Sequence, residues 1–442
     1  MIILGIETSC DETAAAVVRD GWEILSNVVV SQIDIFAEYG GVIPEVAARS
    51  HLEAMMPVVS KALADAACTW EDIDAIAVTH APGLLGSLLI GTLTARTLAI
   101  LHDKPLYAVH HLKSHVYANW ISDQDNSHAY SRAASGRTKA TGGRRYSSRC
   151  RAPDSLELGM SNCLESSLAL QKRQVLDSFE LGMSNCLEPN FPLLALVVSG
   201  GHTQILYMSA HNQFEIIGTT RDDAVGECFD KVAKILGLPY PGGPSIARAA
   251  DGTLTPHLGS RRSRPSGNPD KYRLPHPKIP GLDFSFSGLK TAVLRAVQKE
   301  VGVPISYPSH KLKDLLVPQQ VADFAASFQK TAVEILVEKL TAALREHPEV
   351  KSIVVAGGVS ANRSLRERML EMFPSGHAQG CSAKPTVPSE TFPSIRVSFP
   401  SLSLSGDNGA MVAAAAYYEI QSGVKPTDPY SLNIYPRISI EK

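Results

Sequence analysis

Two histidines that could bind one cation stand four residues apart in the stretch VHHLKSHVYANW, residues 109–120. The pattern predicts a helical turn. On a helix, side chains at i and i+4 share one face, which places His111 and His115 side by side. A zinc-protease motif is excluded, because Leu112 stands where the glutamate base of that motif belongs. The alternative is a pair of surface or core-packing histidines.

A carboxylate that could complete such a site occurs far along the chain. Asp407 lies in SGDNGAMVAAAAYYEI, residues 405–420, directly before an alanine-rich run that predicts a helix. Two histidines and one carboxylate leave coordination positions open, as in catalytic rather than structural sites, and they suit Fe(II) or Zn(II). The alternative role of Asp407 is a helix N-cap or a turn residue.

Three segments share the pattern of a short apolar strand that ends in small residues: IILGIETSCDET (2–13), LLALVVSGGHTQI (193–205) and KSIVVAGGVSAN (351–362). Such turns let the backbone approach phosphates or sugars, although a plain strand-to-helix connection has the same pattern. Asp11 and Glu12 follow the first strand and are candidate catalytic residues. A position at a helix N-terminus would also account for acids there.

The strand and helix patterns around these residues predict an α/β fold. The strand segments are apolar at nearly every position rather than alternating, which is typical of a sheet covered by helices on both faces. Helical patterns at 323–347 and 410–420 supply such covers. A length of 442 residues exceeds that of one usual domain and predicts two lobes.

The composition is that of a globular chain without a global basic charge. Apolar residues make up 44% and charged residues 19%, and the formal net charge is −2. A strongly basic stand-alone binder of nucleic acid is therefore excluded. Seven scattered cysteines without CxxC spacing favour reduced thiols. A strand begins at residue 2 and the apolar runs are short, so we predict a cytoplasmic protein without membrane contact.

Residues 122–190 interrupt the α/β pattern. Seven basic residues and no acidic one lie in the Ser-, Arg- and Gly-rich part at 131–151, and DSLELGMSNCLE (154–165) recurs as DSFELGMSNCLE (177–188). We interpret the segment as a mostly disordered insert, with an RNA-binding arm as the alternative. A second Ser- and Pro-rich insert is predicted at about 375–396.

Eight motifs in this order resemble one family: GIETSCDET, YGGVIPEVAARSH, HHLKSH, VVSGGHTQ, FDKVAKILGLPYPGGP, DFSFSGLKTA, AGGVSANRSLR and DNGAMVA. It is the TsaD/Kae1/Qri7 family of tRNA adenosine threonylcarbamoyltransferases, and the second motif is similar to its bacterial and organellar branch. The resemblance implies an actin-like ATPase (ASKHA) fold. Its two lobes, 1–121 and 191–430, would hold a nucleotide in the cleft between them.

The resemblance also implies roles for single residues. His111, His115 and Asp407 would hold one divalent metal ion, Fe(II) first and Zn(II) second. The phosphate and carbamoyl region would be lined by Val197, Val198, Ser199, Gly200 and Gly201. Asp230 and Gly243 would contact the ribose and Asn362 the adenine, which agrees with what a carboxylate and a glycine can do. The alternatives are a salt bridge from Asp230 to Lys231 or Lys234, and a plain turn at Gly243.

The implied activity is transfer of the threonylcarbamoyl group from threonylcarbamoyl-AMP to N6 of the adenosine at position 37 of tRNAs reading A-starting codons. The alternatives are an ASKHA small-molecule kinase, which would not need the histidine pair, and a catalytically silent ASKHA scaffold paralogue, which would be expected to lose it. The implied partners are tRNA and either an inactive ASKHA paralogue with a small P-loop ATPase, or a second copy in a homodimer.

The chain departs from the family pattern near the implied ligands. Lys113 replaces a usual acidic residue, and Ser114 replaces the usual Gly or Ala before the second histidine. Ser405 and Gly406 stand where Cys-Thr or Ser-Thr usually precedes the aspartate, and VTHAPG places His80 and Ala81 where a small residue and glycine are usual. The ligand residues are retained despite these changes.

Overall fold

The computed structural model describes residues 1–121, 189–253, 266–374 and 395–441. The inserts predicted at 122–190 and about 375–396 lie outside the described residues, apart from 189–190 and 395–396 at their ends. Of the helices in the described ranges, none is long and apolar enough to cross a membrane.

Residues 1–121 contain five strands and four α-helices. The strands are β1 (Ile2–Glu7), β2 (Glu12–Arg19), β3 (Glu23–Ser31), β4 (Ala75–Ala81) and β5 (Leu106–His110). The helices are α1 (Ile33–Tyr39), α2 (Pro44–Asp65), α3 (Leu85–Leu101) and α4 (His111–Tyr117). Helix α4 therefore begins directly where β5 ends.

The second half adds five strands and six helices in its described part. The strands are β6 (Leu193–Val198), β7 (Thr203–Ala210), β8 (Gln213–Thr219), β9 (Ser352–Ala356) and β10 (Arg396–Ser398). The helices are α5 (Val225–Leu236), α6 (Gly242–Ala250), α7 (Ser287–Glu300), α8 (Pro318–Glu346), α9 (Arg363–Met372) and α10 (Gly409–Gln421). The helices predicted at 323–347 and 410–420 correspond to α8 and α10.

The two halves form sheets of the same topology. The first sheet has the order β3-β2-β1-β4-β5 and the second the order β8-β7-β6-β9-β10. In each, the first strand along the chain pairs antiparallel with the second and parallel with the fourth. This repeated arrangement confirms the α/β class and is that of the actin-like ATPase fold.

The sheets and helices form successive layers. Helices α2 and α3 pack on the outer face of the first sheet. Its inner face and the inner face of the second sheet share one apolar cluster with α4 and α10, so these two helices lie between the sheets. Helices α5 to α8 pack on the far face of the second sheet. The central strands β1, β4, β6 and β9 are thus buried on both faces, as the continuous apolar runs predict.

A close backbone contact in this arrangement joins β1 to the start of α10. A Cβ atom added at Gly5 would lie 2.2 Å from the carbonyl oxygen of Gly409 and 2.7 Å from the amide nitrogen of Ala413. One added at Gly409 would lie 2.5 Å from the amide nitrogen of Ala16. Glycine at both positions lets the helix backbone touch the sheet.

We expect Gly5→Ala to destabilise the fold by roughly 2–3 kcal/mol, because the added methyl group meets backbone atoms that cannot rotate away. Urea unfolding measures the change. The matched control is Gly288→Ala on α7, where an added Cβ meets no heavy atom within 4 Å. That control should be neutral or slightly stabilising. Equal stability of both variants would contradict the described contact.

Candidate metal centre and cleft

The two predicted histidine ligands lie on α4, whose sequence folds as expected from their spacing. The ring centroids of His111 and His115 are 4.5 Å apart, and both side chains are buried. His110 has a different role, because its Nδ1 accepts a hydrogen bond from the Leu112 N–H at the start of the helix. Burial lowers the pKa of His110 to about 3, so this imidazole is neutral.

Asp407 joins the histidine pair from the other side of the α4–α10 packing. Its Oδ1 lies 3.0 Å from Nε2 of His115 and 3.7 Å from Nε2 of His111. Asn408, not Asp407, caps α10, since its Oδ1 accepts from the Met411 N–H at 2.9 Å. The N-cap alternative for Asp407 is therefore wrong, and its carboxylate remains available as a ligand.

The three side chains fit a cation. Their ligand atoms all lie within 4.8 Å of one another. His115 is 1% exposed; its Nδ1 has no hydrogen-bond partner among the described residues, and its Nε2 faces the Asp407 carboxylate at 3.0 Å. A cation bound by Nε2 and by the Asp407 carboxylate would satisfy both groups in this buried place. Two histidines and one carboxylate leave further coordination positions for a substrate.

The charges of the cluster depend on one another. Burial alone would lower the pKa of His111, but the carboxylates of Asp407 and Glu7 raise it to about 9. Burial would raise the pKa of Asp407, but the charge of His111 lowers it to about 2. In the metal-free protein, protonated His111 stabilises the fold fully below about pH 6.5, and this contribution is lost as the pH rises through about 9. A cation that binds Nε2 of His111 must displace the proton from that nitrogen.

Glu7 positions His111, and sequence reasoning missed it. Its Oε2 lies 3.1 Å from Nδ1 of His111 and accepts a hydrogen bond from the Thr79 hydroxyl at 2.6 Å. Its Oε1 accepts from the N–H of Ser9. A proton on Nδ1 of His111 leaves Nε2 free to bind metal, the usual carboxylate–histidine–metal arrangement. The one signal in the sequence is an acid at the end of an otherwise apolar strand.

Asp11 lies in the β1–β2 loop and Glu12 begins β2, so neither is at a helix N-terminus and that alternative is wrong. Burial raises the pKa of both carboxyls, and the charge of Asp407 raises them further. His51, which sequence reasoning missed, holds this loop: Nε2 lies 2.9 Å from the carbonyl oxygen of Cys10 and Nδ1 lies 2.8 Å from the Thr13 hydroxyl. Because their pKa values are raised, Asp11 and Glu12 hold a proton more readily than exposed carboxylates do.

The segment predicted to line the phosphate and carbamoyl region is only partly open. Val197 and Val198 end β6 with fully buried side chains, so a ligand could meet only their backbone. The following turn is closed by the Ser199 N–H, which donates to the His202 carbonyl at 2.8 Å. A Cβ added at Gly200 or Gly201 would meet no heavy atom within 4 Å, so there is open space beside both.

His202 lies beside the metal cluster and was not predicted as a site residue. Burial, followed by the charges of His111 and His115, lowers its pKa to about 4, so the imidazole is neutral. The β6–β7 turn and the α4 histidines are therefore electrostatic neighbours. The residue stands in the sequence as the histidine of VVSGGHTQ.

The predicted ribose residues lie together on the second lobe. Oδ1 of Asp230 accepts a hydrogen bond from the Gly242 N–H at 2.6 Å. Lys231 instead pairs with Asp223 and Glu227, and Asp230 forms no salt bridge with Lys234 in the described part of the chain, so the predicted salt-bridge alternative is wrong. Burial raises the pKa of Asp230 to about 6, with a smaller contribution from the charge of Asp11 on the first lobe.

Gly243 and Asn362 differ in how open they are. A Cβ added at Gly243 would meet no heavy atom within 4 Å, so its backbone borders open space. Asn362 caps α9: Oδ1 accepts from the Leu365 N–H, and Nδ2 donates to Oε1 of Gln329 at 3.0 Å. The amide group is thus used inside the protein, and the second N–H of Nδ2 is what it can offer a ligand.

The departures from the family pattern do not crowd the cluster. The hydroxyl of Ser114 turns back to the His110 carbonyl on its own helix. The hydroxyl of Ser405 donates to the Ser401 carbonyl, and a Cβ added at Gly406 would meet nothing within 4 Å. Nδ1 of His80 lies 3.2 Å from the carbonyl oxygen of Asn433 in the C-terminal segment.

Two sheets of one topology, with helices between them that bring together two histidines and an aspartate, define a protein of the actin-like ATPase fold with a candidate metal centre. Comparison with known proteins narrows this class. The model of the family TsaD, tRNA N6-adenosine threonylcarbamoyltransferase, matches residues 23–142 and 177–414. The chain belongs to this family of transferases.

Individual relatives match the chain over nearly its whole length. The tRNA N6-adenosine threonylcarbamoyltransferase of Symbiobacterium thermophilum is 39% identical over 441 residues, which is 99% of this chain and 97% of the relative. That of Bacillus cereus is 39% identical over 441 residues, 100% of this chain and 97% of the relative. Among solved structures, full-length HypF is 13% identical to this chain, with a TM-score of 0.45. The match covers 95% of this chain and 46% of the HypF chain.

We expect Glu7→Gln to weaken metal binding about 10- to 100-fold, because the neutral amide no longer favours the His111 tautomer that frees Nε2. Competition with a chromophoric chelator measures the dissociation constant. The control is Glu23→Gln, which removes a carboxylate paired with Arg19 at the edge of the first sheet. Unchanged affinity in folded Glu7→Gln would show that Glu7 does not act on the metal centre.

Proposed function

We propose that this chain transfers the threonylcarbamoyl group from threonylcarbamoyl-AMP to N6 of the adenosine at position 37 in tRNAs reading A-starting codons, with release of AMP. Membership of the TsaD family supports the reaction class. The observation that carries the proposal is the buried cluster of His111, His115 and Asp407, with the carboxyl pair Asp11 and Glu12 within reach of the Asp407 charge.

The reaction forms a bond from the N6 nitrogen to the carbamoyl carbon and breaks the bond from that carbon to a phosphate oxygen. The adenine amine is a poor nucleophile, so the protein must position it and stabilise developing charge. A divalent cation, when bound, supplies Lewis-acid stabilisation of that charge. Asp11 and Glu12, with raised pKa values, are suited to accept the N6 proton. The amides of Gly200 and Gly201 can donate to the phosphate or carbamoyl oxygens.

The nucleotide half of the substrate would lie against the second lobe. Asp230 can accept hydrogen bonds from the ribose hydroxyls, and the open backbone at Gly243 lets the sugar approach closely. Asn362 would contact the adenine through its second Nδ2 hydrogen or its backbone. The target adenosine lies in a tRNA loop, where a base can be turned out of its stack for chemistry.

For the metal we propose Fe(II), with Zn(II) as the alternative. Two histidines and one carboxylate with open positions form the ligand set typical of non-haem iron, although the same residues also bind zinc. Support in this chain comes from the buried Nε2 of His115, which faces the Asp407 carboxylate at 3.0 Å, and from the Glu7 contact to His111. Elemental analysis of the purified protein distinguishes the two metals.

For partners we propose tRNA and a second ASKHA subunit, either an inactive paralogue acting with a small P-loop ATPase or another copy of this chain. Large apolar side chains are exposed at helical spacing on the neighbouring helices α2 and α3: Leu52, Met56, Leu85, Leu89 and Leu93. Such a stripe suits packing against a helix pair of another protein. A tRNA substrate would place the enzyme in the cytoplasm.

We expect His111→Ala, His115→Ala and Asp407→Ala each to remove the metal and most transferase activity while the fold persists, because open-site ligands serve chemistry more than stability. The assay follows AMP release from threonylcarbamoyl-AMP with tRNA. ADP release from ATP with sugars or acetate is measured beside it, and would instead indicate a kinase. Full metal occupancy in all three variants would defeat the ligand assignment, and a wild-type protein inactive in both assays would favour a silent paralogue.

We expect Asp230→Ala to weaken threonylcarbamoyl-AMP binding by roughly 1.5–3 kcal/mol, the contribution of a charged hydrogen-bond partner. Calorimetry measures the affinity. Glu227→Ala on the same helix is the matched control, since that carboxylate pairs with Lys231. If Asp230→Ala binds the nucleotide as wild type does, the carboxylate serves only to hold the Gly242 N–H.

A further inference from the structure

Lys113 stands between the two candidate histidine ligands on α4, and its ammonium group contacts two other elements. Nζ lies 3.8 Å from Oε1 of Glu419 on α10. It also donates to Oδ1 of Asn212, in the β7–β8 turn, at 3.2 Å, and lies 5.5 Å from the centre of the Phe214 ring. One side chain therefore joins α4 to α10 and to the second sheet.

The Lys113–Glu419 contact is not a surface salt bridge. The side chain of Lys113 is 16% exposed and that of Glu419 is 7% exposed. Exposed ion pairs contribute little because water screens them, whereas removal of one partner from a buried pair leaves the other charge desolvated. The two helices are therefore sensitive to the loss of either residue.

The position of the pair gives it a mechanical effect on the ligand cluster. Helix α4 carries His111 and His115, and Asp407 directly precedes α10. Glu419 lies ten residues after the start of α10, about 15 Å along the helix axis. The two helices also pack through apolar contacts such as Tyr117 on Tyr418, and the ion pair adds a polar contact well away from Asp407. Loss of the ion pair removes this polar contact, and a small shift of one helix against the other would then alter the distances between ligand atoms.

We propose that Lys113 and Glu419 form a positioning pair for the metal centre. Their contact holds α4 against α10 so that the histidine nitrogens and the Asp407 carboxylate are preorganised for one cation. Preorganisation of this kind raises affinity because less rearrangement is needed on binding. The inference rests on the proposed function, since it takes His111, His115 and Asp407 as the ligands.

Other contacts around the pair should keep variants folded. The Asn212 N–H donates to the Tyr117 hydroxyl at 2.9 Å, and the Tyr117 ring stacks on Tyr418 at 4.9 Å between centroids. These contacts join the same three elements without using either charge. Loss of the pair should therefore change the geometry of the cluster more than the integrity of the fold.

The test is a double-mutant cycle on metal affinity, with Lys113→Met, Glu419→Gln and both together in the full chain. Metal-free protein is titrated with Co²⁺ at pH 8 against a chromophoric chelator, and the ligand-field absorption bands report the geometry. Each single variant should bind Co²⁺ about tenfold more weakly, with shifted bands. The double variant should be no weaker than the worse single one, because the pair acts as a unit.

Two controls separate this inference from the proposed function. Lys271→Met breaks the 3.0 Å contact to the buried carboxylate of Asp323 in the second lobe, and should lower stability without changing Co²⁺ affinity. His115→Ala should abolish Co²⁺ binding. If wild type does not bind Co²⁺, or if His115→Ala binds it equally well, the metal centre and the pair fail together. Unchanged affinity in the folded pair variants, or strictly additive losses, overturns the positioning pair alone.

A charge reversal tests the pair if Lys113→Met does not fold. Lys113→Glu alone places two buried acids together, whereas Lys113→Glu with Glu419→Lys restores opposite charges. We expect the reversed pair to bind Co²⁺ at least about tenfold more tightly than Lys113→Glu alone. Equal affinity of these two variants would overturn the proposal.

Discussion

The close packing of α10 between the two sheets determines where the candidate ligands lie. At Gly5 and Gly409 the helix backbone touches β1, and the alanines that follow are fully buried. Small side chains let one helix serve as the inner layer of both sheets. Asp407 is thereby fixed at the edge of this layer, opposite the one turn of α4 that carries the histidines. Bulkier residues on either surface would move the carboxylate away from its partners.

The second constraint is electrostatic. Glu7, Asp11, Glu12 and Asp407 place four carboxyl groups in or beside one cleft, and burial raises the pKa of Asp11 and Glu12. In the metal-free protein, His111 offsets part of this charge by holding a proton. A divalent cation would offset more of it, because it brings two positive charges to the same place. The carboxylates, the histidines and a bound cation are therefore electrostatically coupled, and a change in the charge of one alters the electrostatic potential at the others.

The residues differ in how far the sequence reveals them. Continuous apolar runs predicted β1, β6 and β9 and the covered sheets, because burial on both faces leaves a local pattern. The histidine spacing predicted α4 because side chains at i and i+4 share one face of a helix, which is also a local pattern. Glu7, His51 and the Lys113–Glu419 contact left no such pattern, since each depends on segments that meet only in the folded chain. Asn362 was expected at the adenine, but a cap and its contact to Gln329 also account for its amide.

The separation of the ligands along the chain bears on folding. His111 and Asp407 are 296 positions apart, and the cover that α4 gives the inner face of the first sheet is completed only by α10, far along the chain. Contacts of such high sequence separation form late, because a long loop must close before they contribute. During synthesis the first five strands would therefore expose an apolar face to the ribosome exit and to chaperones until residue 421 has emerged. Metal capture could then mark the completion of folding rather than guide its beginning.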